Sequence, residues 1–130
     1  MNNIKKAAKI IKENIAATIF IAIMAVIYVH MMFTNKPWYD ELYTYYYFIS
    51  RGPIYAAIHW PVPNNHVGYS VLSAVFDLFG NQYIGLRGVS CIAAVCNLIL
   101  LYHICTIFMN KYYATAATAM YAGAYLVYRL

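Results

Sequence analysis

The chain has 130 residues, of which 64% are hydrophobic and only 10% charged, and its formal net charge is +5 at pH 7. Soluble domains carry about 25% charged residues, and one of this size could not hide so much apolar surface from water. The composition therefore excludes an ordinary soluble protein and points to lipid.

The positive charge does not indicate a nucleic-acid partner. Lys5, Lys6, Lys9 and Lys12 cluster immediately before the first apolar run, where basic residues orient a membrane segment. The other basic residues are scattered singly, and no nucleic-acid motif accompanies them.

In chain order, residues 1–14 are a short basic amphipathic start. Residues 15–34 (IAATIFIAIMAVIYVHMMFT) contain no Asp, Glu, Lys or Arg and are long enough to cross the roughly 30 Å hydrocarbon layer as a helix. No small-residue cleavage pattern follows the run, so it reads as a retained anchor rather than a signal peptide. The four lysines before it place the N-terminus in the cytoplasm.

Residues 35–83 then form an extracytoplasmic loop. This interval holds Asp40, Glu41 and Asp77, both tryptophans, all four prolines and a dense run of tyrosines. Tryptophan and tyrosine favour the membrane–water interface, so the interval is expected to lie along the bilayer surface with two interfacial helices. The first, Asp40 to Ser50, should stop at Gly52-Pro53. The second should run from about His66 to Phe79, with Asn64 or Asn65 as N-cap and Gly80 as C-cap. Its apolar positions are Val71, Leu72, Val75, Phe76 and Phe79. Between them, Pro61-Val62-Pro63 makes a rigid turn. Asp77 is expected to face water.

Residues 84–109 are a second predicted span, with Arg87 near its outer end. Gly85, Gly88, Ser90, Cys91, Ala93 and Ala94 would allow close helix approach in lipid. Asn97 and His103 lie deeper, where interhelical hydrogen bonding is the expected role. Cys91, Cys96 and Cys105 have neither zinc-site nor disulfide-framework spacing and read as packing residues. Residues 110–111 make a cytoplasmic turn, and residues 112–130 begin a third span, at whose far side the chain stops.

Few residues stand out as carriers of chemistry. Asp40 and Glu41 are adjacent carboxylates just beyond a span. Helix neighbours point about 100° apart, so one can face a substrate while the other caps backbone or holds a cation; the plainer reading is that both complement a helix N-terminus. His59 and His66 flank the proline turn, either as a metal pair or, more commonly, as two solvated loop histidines. Arg87 fits two pictures equally: binding a phosphate at the lipid surface or snorkelling to headgroups.

The order of these features resembles the N-terminal part of membrane glycosyltransferases of the GT-C fold. The likeness is to dolichyl-phosphate-mannose protein mannosyltransferases and to bacterial aminoarabinose or polyprenyl-phosphate-sugar transferases. It is carried by Trp38-Tyr39-Asp40-Glu41, the aromatic surface helix, the Pro-rich turn with His, Phe79-Gly80-Asn81 and Leu86-Arg87, from Trp38 to about Ala94. Where many members have His-Pro-Pro or Lys-Pro, this sequence reads Asn64-Asn65-His66-Val67-Gly68.

The resemblance implies inverting transfer of a sugar from a polyprenyl-phosphate donor to an acceptor of unspecified class on the extracytoplasmic side. Asp40 would be the general base, and Glu41 would orient the acceptor or support the first surface helix. Asn64, Asn65, His66 and Arg87 would contact substrate. No cofactor is implied with certainty, and a divalent metal is compatible with the outer loop. Members run to several hundred residues, so the expectation is a multi-pass cell-membrane protein present here as its N-terminal portion and inactive alone. The alternative is a small non-enzymatic membrane protein that packs against partner helices.

Overall fold

The computed structural model describes residues 13–59 and 66–128, with side chains to residue 124. The basic start to residue 12, the proline turn, Asn64, Asn65 and the last two residues lie outside the described residues. Among the described residues every regular element is helical. Two of the helices are long and apolar enough to cross a membrane.

The first is α1, Ile15–Thr34. Its 20 residues contain neither Gly nor Pro, and at 1.5 Å per residue they span about 30 Å. Pro37, three residues on, restricts Lys36 and ends any continuation. The second is α5, Gln82–Phe108, with 27 residues. Only 17% and 11% of their apolar windows are buried within the chain. Ile15, Ile19, Ile23 and Val26 on α1, and Ile92, Ile99, Leu100 and Ile104 on α5, are exposed.

Three short helices lie between them: α2 (Tyr39–Tyr47), α3 (Pro53–Ile58) and α4 (Val67–Asp77), with a 3-10 turn at Ile49–Arg51 after α2. The expected stop at Gly52-Pro53 is found, and the same pair also opens the next helix. Gly52 takes φ +94°, which glycine tolerates, and Pro53 opens α3 at its first position. Proline suits that position because the missing N–H is an orphan of the first turn anyway. The last helix is α6, Lys111–Tyr128, which falls outside the class long and apolar enough to cross a membrane. Asn110 caps it, with Oδ1 accepting the N–H of Tyr112 at 3.1 Å and of Tyr113 at 3.2 Å.

The chain divides into two compact units, residues 28–93 and residues 1–27 with 94–130. In the second unit, Ala17, Tyr102 and Ala114 form a buried cluster with Cys105 against it. The Tyr102 hydroxyl donates to Asn14 Oδ1 at 2.7 Å.

The first unit is organised around Ile49, Ala74 and Leu86, with Tyr45 packed against them. Phe48 and Ile49 are each 1% exposed, so the junction of α2 and the 3-10 turn is the anchor of this unit. Helix α4 runs slightly inside its expected bounds, with His66 rather than Asn64 or Asn65 at the N-cap and Leu78 rather than Gly80 at the C-cap. Gly80 follows at φ +76° and turns the chain.

The burial pattern of α4 inverts what amphipathicity suggests for a soluble helix. Ser70, Ser73 and Ala74 face inward, while Leu72 and Val75, with Leu78 and Phe79 just past the end of the helix, are exposed. Small residues permit the close internal packing, Val71 and Phe76 are half-buried, and the remaining large apolar side chains are left outside.

Glycines at the start of α5 serve the same packing. A Cβ on Gly85 would lie 2.8 Å from Asp77 Cβ, and one on Gly88 would lie 2.8 Å from Phe76 Cδ1. The small residues expected to admit a neighbouring span here admit side chains of α4 instead. Asp77 is therefore half-buried against Gly85 rather than facing water.

Candidate functional site

The N-terminus of α2 carries the acidic pair. Trp38 is the N-cap residue, with extended backbone at φ −77° and ψ 159°. Glu41 therefore occupies the third helical position. Its Oε2 accepts the Trp38 N–H at 3.0 Å, which is the carboxylate half of a capping box.

Glu41 also meets Arg87, which projects from the first turns of α5. Arg87 Nε donates to Glu41 Oε1 at 3.1 Å and Nη2 to Oε2 at 2.5 Å, the parallel fork that a planar guanidinium makes with a carboxylate. Its remaining donors reach main-chain carbonyls at and beyond the end of α1. Nη1 donates to Asn35 O at 2.8 Å and Met32 O at 3.4 Å, and Nη2 to Lys36 O at 3.3 Å.

A guanidinium has five N–H donors, and these five contacts use all of them. The arrangement closes the C-terminus of α1, whose last carbonyls lack helical partners and carry partial negative charge. Arg87 is 7% exposed. Both sequence-level pictures, phosphate binding and snorkelling, need a free guanidinium head, and Arg87 has none. It is a tie between α1, α2 and α5.

Asp40 is one position earlier and is turned away. It is exposed, and among the described residues its side chain makes neither a hydrogen bond nor an ion pair. The pair thus divides as helix geometry allows: Glu41 is committed to backbone and cation, and Asp40 is open.

His66 is exposed at the N-cap of α4 without a side-chain capping bond. His59 stacks on Tyr55 with ring centroids 4.4 Å apart. Among the described residues no group of three or more His, Cys, Asp or Glu side chains is placed to hold a metal ion.

Sequence reasoning missed two features. The Tyr45 hydroxyl donates to Asp77 Oδ1 at 3.1 Å. Burial, then that hydrogen bond and the negative charge of Asp77, with a smaller effect of Tyr46, push the Tyr45 phenol above its ordinary pKa. The Tyr69 hydroxyl likewise donates to the Leu86 carbonyl. Both pairs join residues 17 or more positions apart, so no local pattern announces them. A groove of about 200 Å³ lies in the other unit, lined by Ala17, Thr18, Ile21 and Tyr102 among others, and holds none of the expected site residues.

Comparison with family models, with curated proteins and with solved structures finds no match to this chain. The functional reading therefore rests on the residues and their geometry.

Proposed function

We propose that the chain is the N-terminal part of a GT-C-type membrane glycosyltransferase. It would move a sugar from a polyprenyl-phosphate donor to an acceptor on the extracytoplasmic side, with Asp40 as general base. The single observation that carries this reading is the split within the acidic pair. Glu41 is spent on Arg87 and the Trp38 N–H, while Asp40 stands exposed on the adjacent helix position, just beyond a membrane-length helix.

In this reading Asp40 accepts the proton of the acceptor hydroxyl as its oxygen attacks the anomeric carbon. The bond from that carbon to the phosphate oxygen breaks, and polyprenyl phosphate departs as an anion. The leaving group is stable without protonation, so one positioned base suffices, and direct displacement inverts the anomeric centre. The Glu41–Arg87 tie holds the turn that presents Asp40, so both act as positioning residues. His66 and the adjoining Asn64 and Asn65 remain the candidates for substrate contact.

The membrane arrangement belongs to the same proposal. α1, α5 and residues 112–130 are spans, residues 1–14 and 110–111 are cytoplasmic, and residues 35–83 lie outside. The lysine cluster before α1 supports that orientation, and the outward large apolar residues of α4 support an interfacial position for it.

A second reading draws on the low internal burial of α1 and α5. Faces so little covered suit partner helices as well as lipid, as in a non-enzymatic membrane subunit. One experiment separates the two. Membranes carrying the protein at its native length are given radiolabelled polyprenyl-phosphate sugars, and release of free polyprenyl phosphate is followed. Release above that of Asp40→Asn membranes supports transfer; equal release from both overturns it and leaves the subunit reading.

A further inference from the structure

Five side chains at four-residue intervals, Tyr43, Tyr47, Arg51, Tyr55 and His59, form a continuous stack along α2, the 3-10 turn and α3. Tyr43 and Tyr47 stack with centroids 4.3 Å apart and planes 22° apart. Arg51 Cζ lies 5.7 Å from the Tyr47 centroid and 5.1 Å from that of Tyr55. Arg51 Nη1 donates to the Tyr55 hydroxyl oxygen at 2.7 Å. Tyr55 then stacks on His59, with planes 30° apart.

Arg51 is the counterpart of Arg87 with the opposite disposition. Arg87 is buried and spends all five donors inside the protein, whereas Arg51 is exposed. Among the described residues it donates one hydrogen bond, to Tyr55, which leaves four N–H groups for an external acceptor. The two rings fix the plane of the guanidinium, so little side-chain entropy remains to be lost on binding.

Beside this column, three residues on from Arg51 and from Tyr55, stand Ile54 and Ile58. They are 77% and 75% exposed. A cation held by rings next to exposed aliphatic side chains matches the layering of a lipid–water boundary: aliphatics in the acyl region, rings at headgroup level, guanidinium at the phosphates. The segment is tethered at both ends to membrane-length helices, which keeps a bilayer within its reach.

We propose that Arg51, clasped by Tyr47 and Tyr55, binds the phosphate of anionic membrane lipids, with Ile54 and Ile58 entering the acyl region beside it. This site is independent of the glycosyl-transfer reading. It needs a bilayer but neither donor nor acceptor, and Asp40 has no part in it.

The test is solid-state NMR of the full chain with 13C-labelled arginine, measuring dipolar contact between arginine Cζ and lipid 31P. Bilayers of phosphatidylcholine are compared with bilayers half phosphatidylglycerol. The expected result is a phosphorus contact at Arg51, stronger in the anionic bilayer. It is assigned by its loss in Arg51→Gln and weakened in Tyr47→Leu and Tyr55→Leu, all with unchanged helical circular dichroism. Absence of any Arg51 contact in either bilayer overturns the proposal. So does a contact that both tyrosine variants leave unchanged. A third arm uses phosphate-free detergent micelles with added inorganic phosphate; a contact there as strong as in bilayers assigns the site to free anions and overturns the lipid assignment.

Discussion

Replacing Arg87 with methionine keeps the apolar bulk of the side chain and removes every donor of the tie between α1, α2 and α5. Two charge-assisted bonds to Glu41 and three bonds to the carbonyls of Met32, Asn35 and Lys36 are lost together. Breaking a buried pair by removing one partner typically costs 3–5 kcal/mol. Here the Arg87 side chain is 8% exposed but that of Glu41 is 25% exposed, so water partly solvates the carboxylate left behind. The expected destabilisation is therefore at the lower end, about 3 kcal/mol.

Arg87→Lys keeps the charge but offers three donors from one point instead of a fork, and a smaller loss is expected. Adding Glu41→Gln to Arg87→Met should cost less than the sum of the single changes, since both remove the same bonds. The assay is reversible unfolding in mixed detergent micelles, followed by circular dichroism. An Arg87→Met loss below about 0.5 kcal/mol, the range of ordinary surface changes, would refute the claim that this guanidinium holds the three helices together.

Gly85→Ala should destabilise by about 1–3 kcal/mol, because its Cβ would collide with the carboxyl group and the Cβ of Asp77; in the same unfolding assay Asp77→Ala, which removes the carboxyl group and keeps the Cβ, should relieve only part of the added cost. The Tyr45 phenol has a raised pKa in the fold, so its stabilising contribution is fully present below the ordinary tyrosine pKa of about 10 and is lost as pH rises through the folded value. In ultraviolet titration at alkaline pH, Asp77→Asn should move part of the late-ionising tyrosine signal to lower pH by removing the negative charge beside Tyr45.

Much of the helical layout was legible because local signals set it. The uninterrupted apolar run predicts α1 at the residues it occupies, and α5 differs from expectation by two residues at its start and one at its end. What escaped was tertiary. Arg87 and Glu41 are 46 residues apart, and Tyr45 and Asp77 are 32 apart, so nothing local distinguishes a spent guanidinium from a free one, or a half-buried aspartate from a solvated one.

The helix that starts at Pro53 escaped for a different reason. Proline both ends and begins helices, and only the backbone of Gly52 decides which. The stack centred on Arg51 did have a sequence signal, an aromatic or basic residue at every fourth position from 43 to 59. The glycine and proline within that stretch obscured it, because they argue against a single continuous helix face.

The sharpest test concerns Asp40 in the native-length protein. Asp40→Asn preserves shape and removes the proposed base, and losing one exposed charge in the first turn of α2 should cost no more than about 0.3–1 kcal/mol, so the fold should hold. General-base contributions are typically 10²–10⁴-fold, and single-turnover transfer from a polyprenyl-phosphate sugar should fall by about that factor while donor binding holds. Glu41→Gln should chiefly lower stability by weakening the Arg87 tie, with a smaller effect on the transfer rate of the folded protein. A near wild-type single-turnover rate in Asp40→Asn would contradict the assignment of Asp40 as the base.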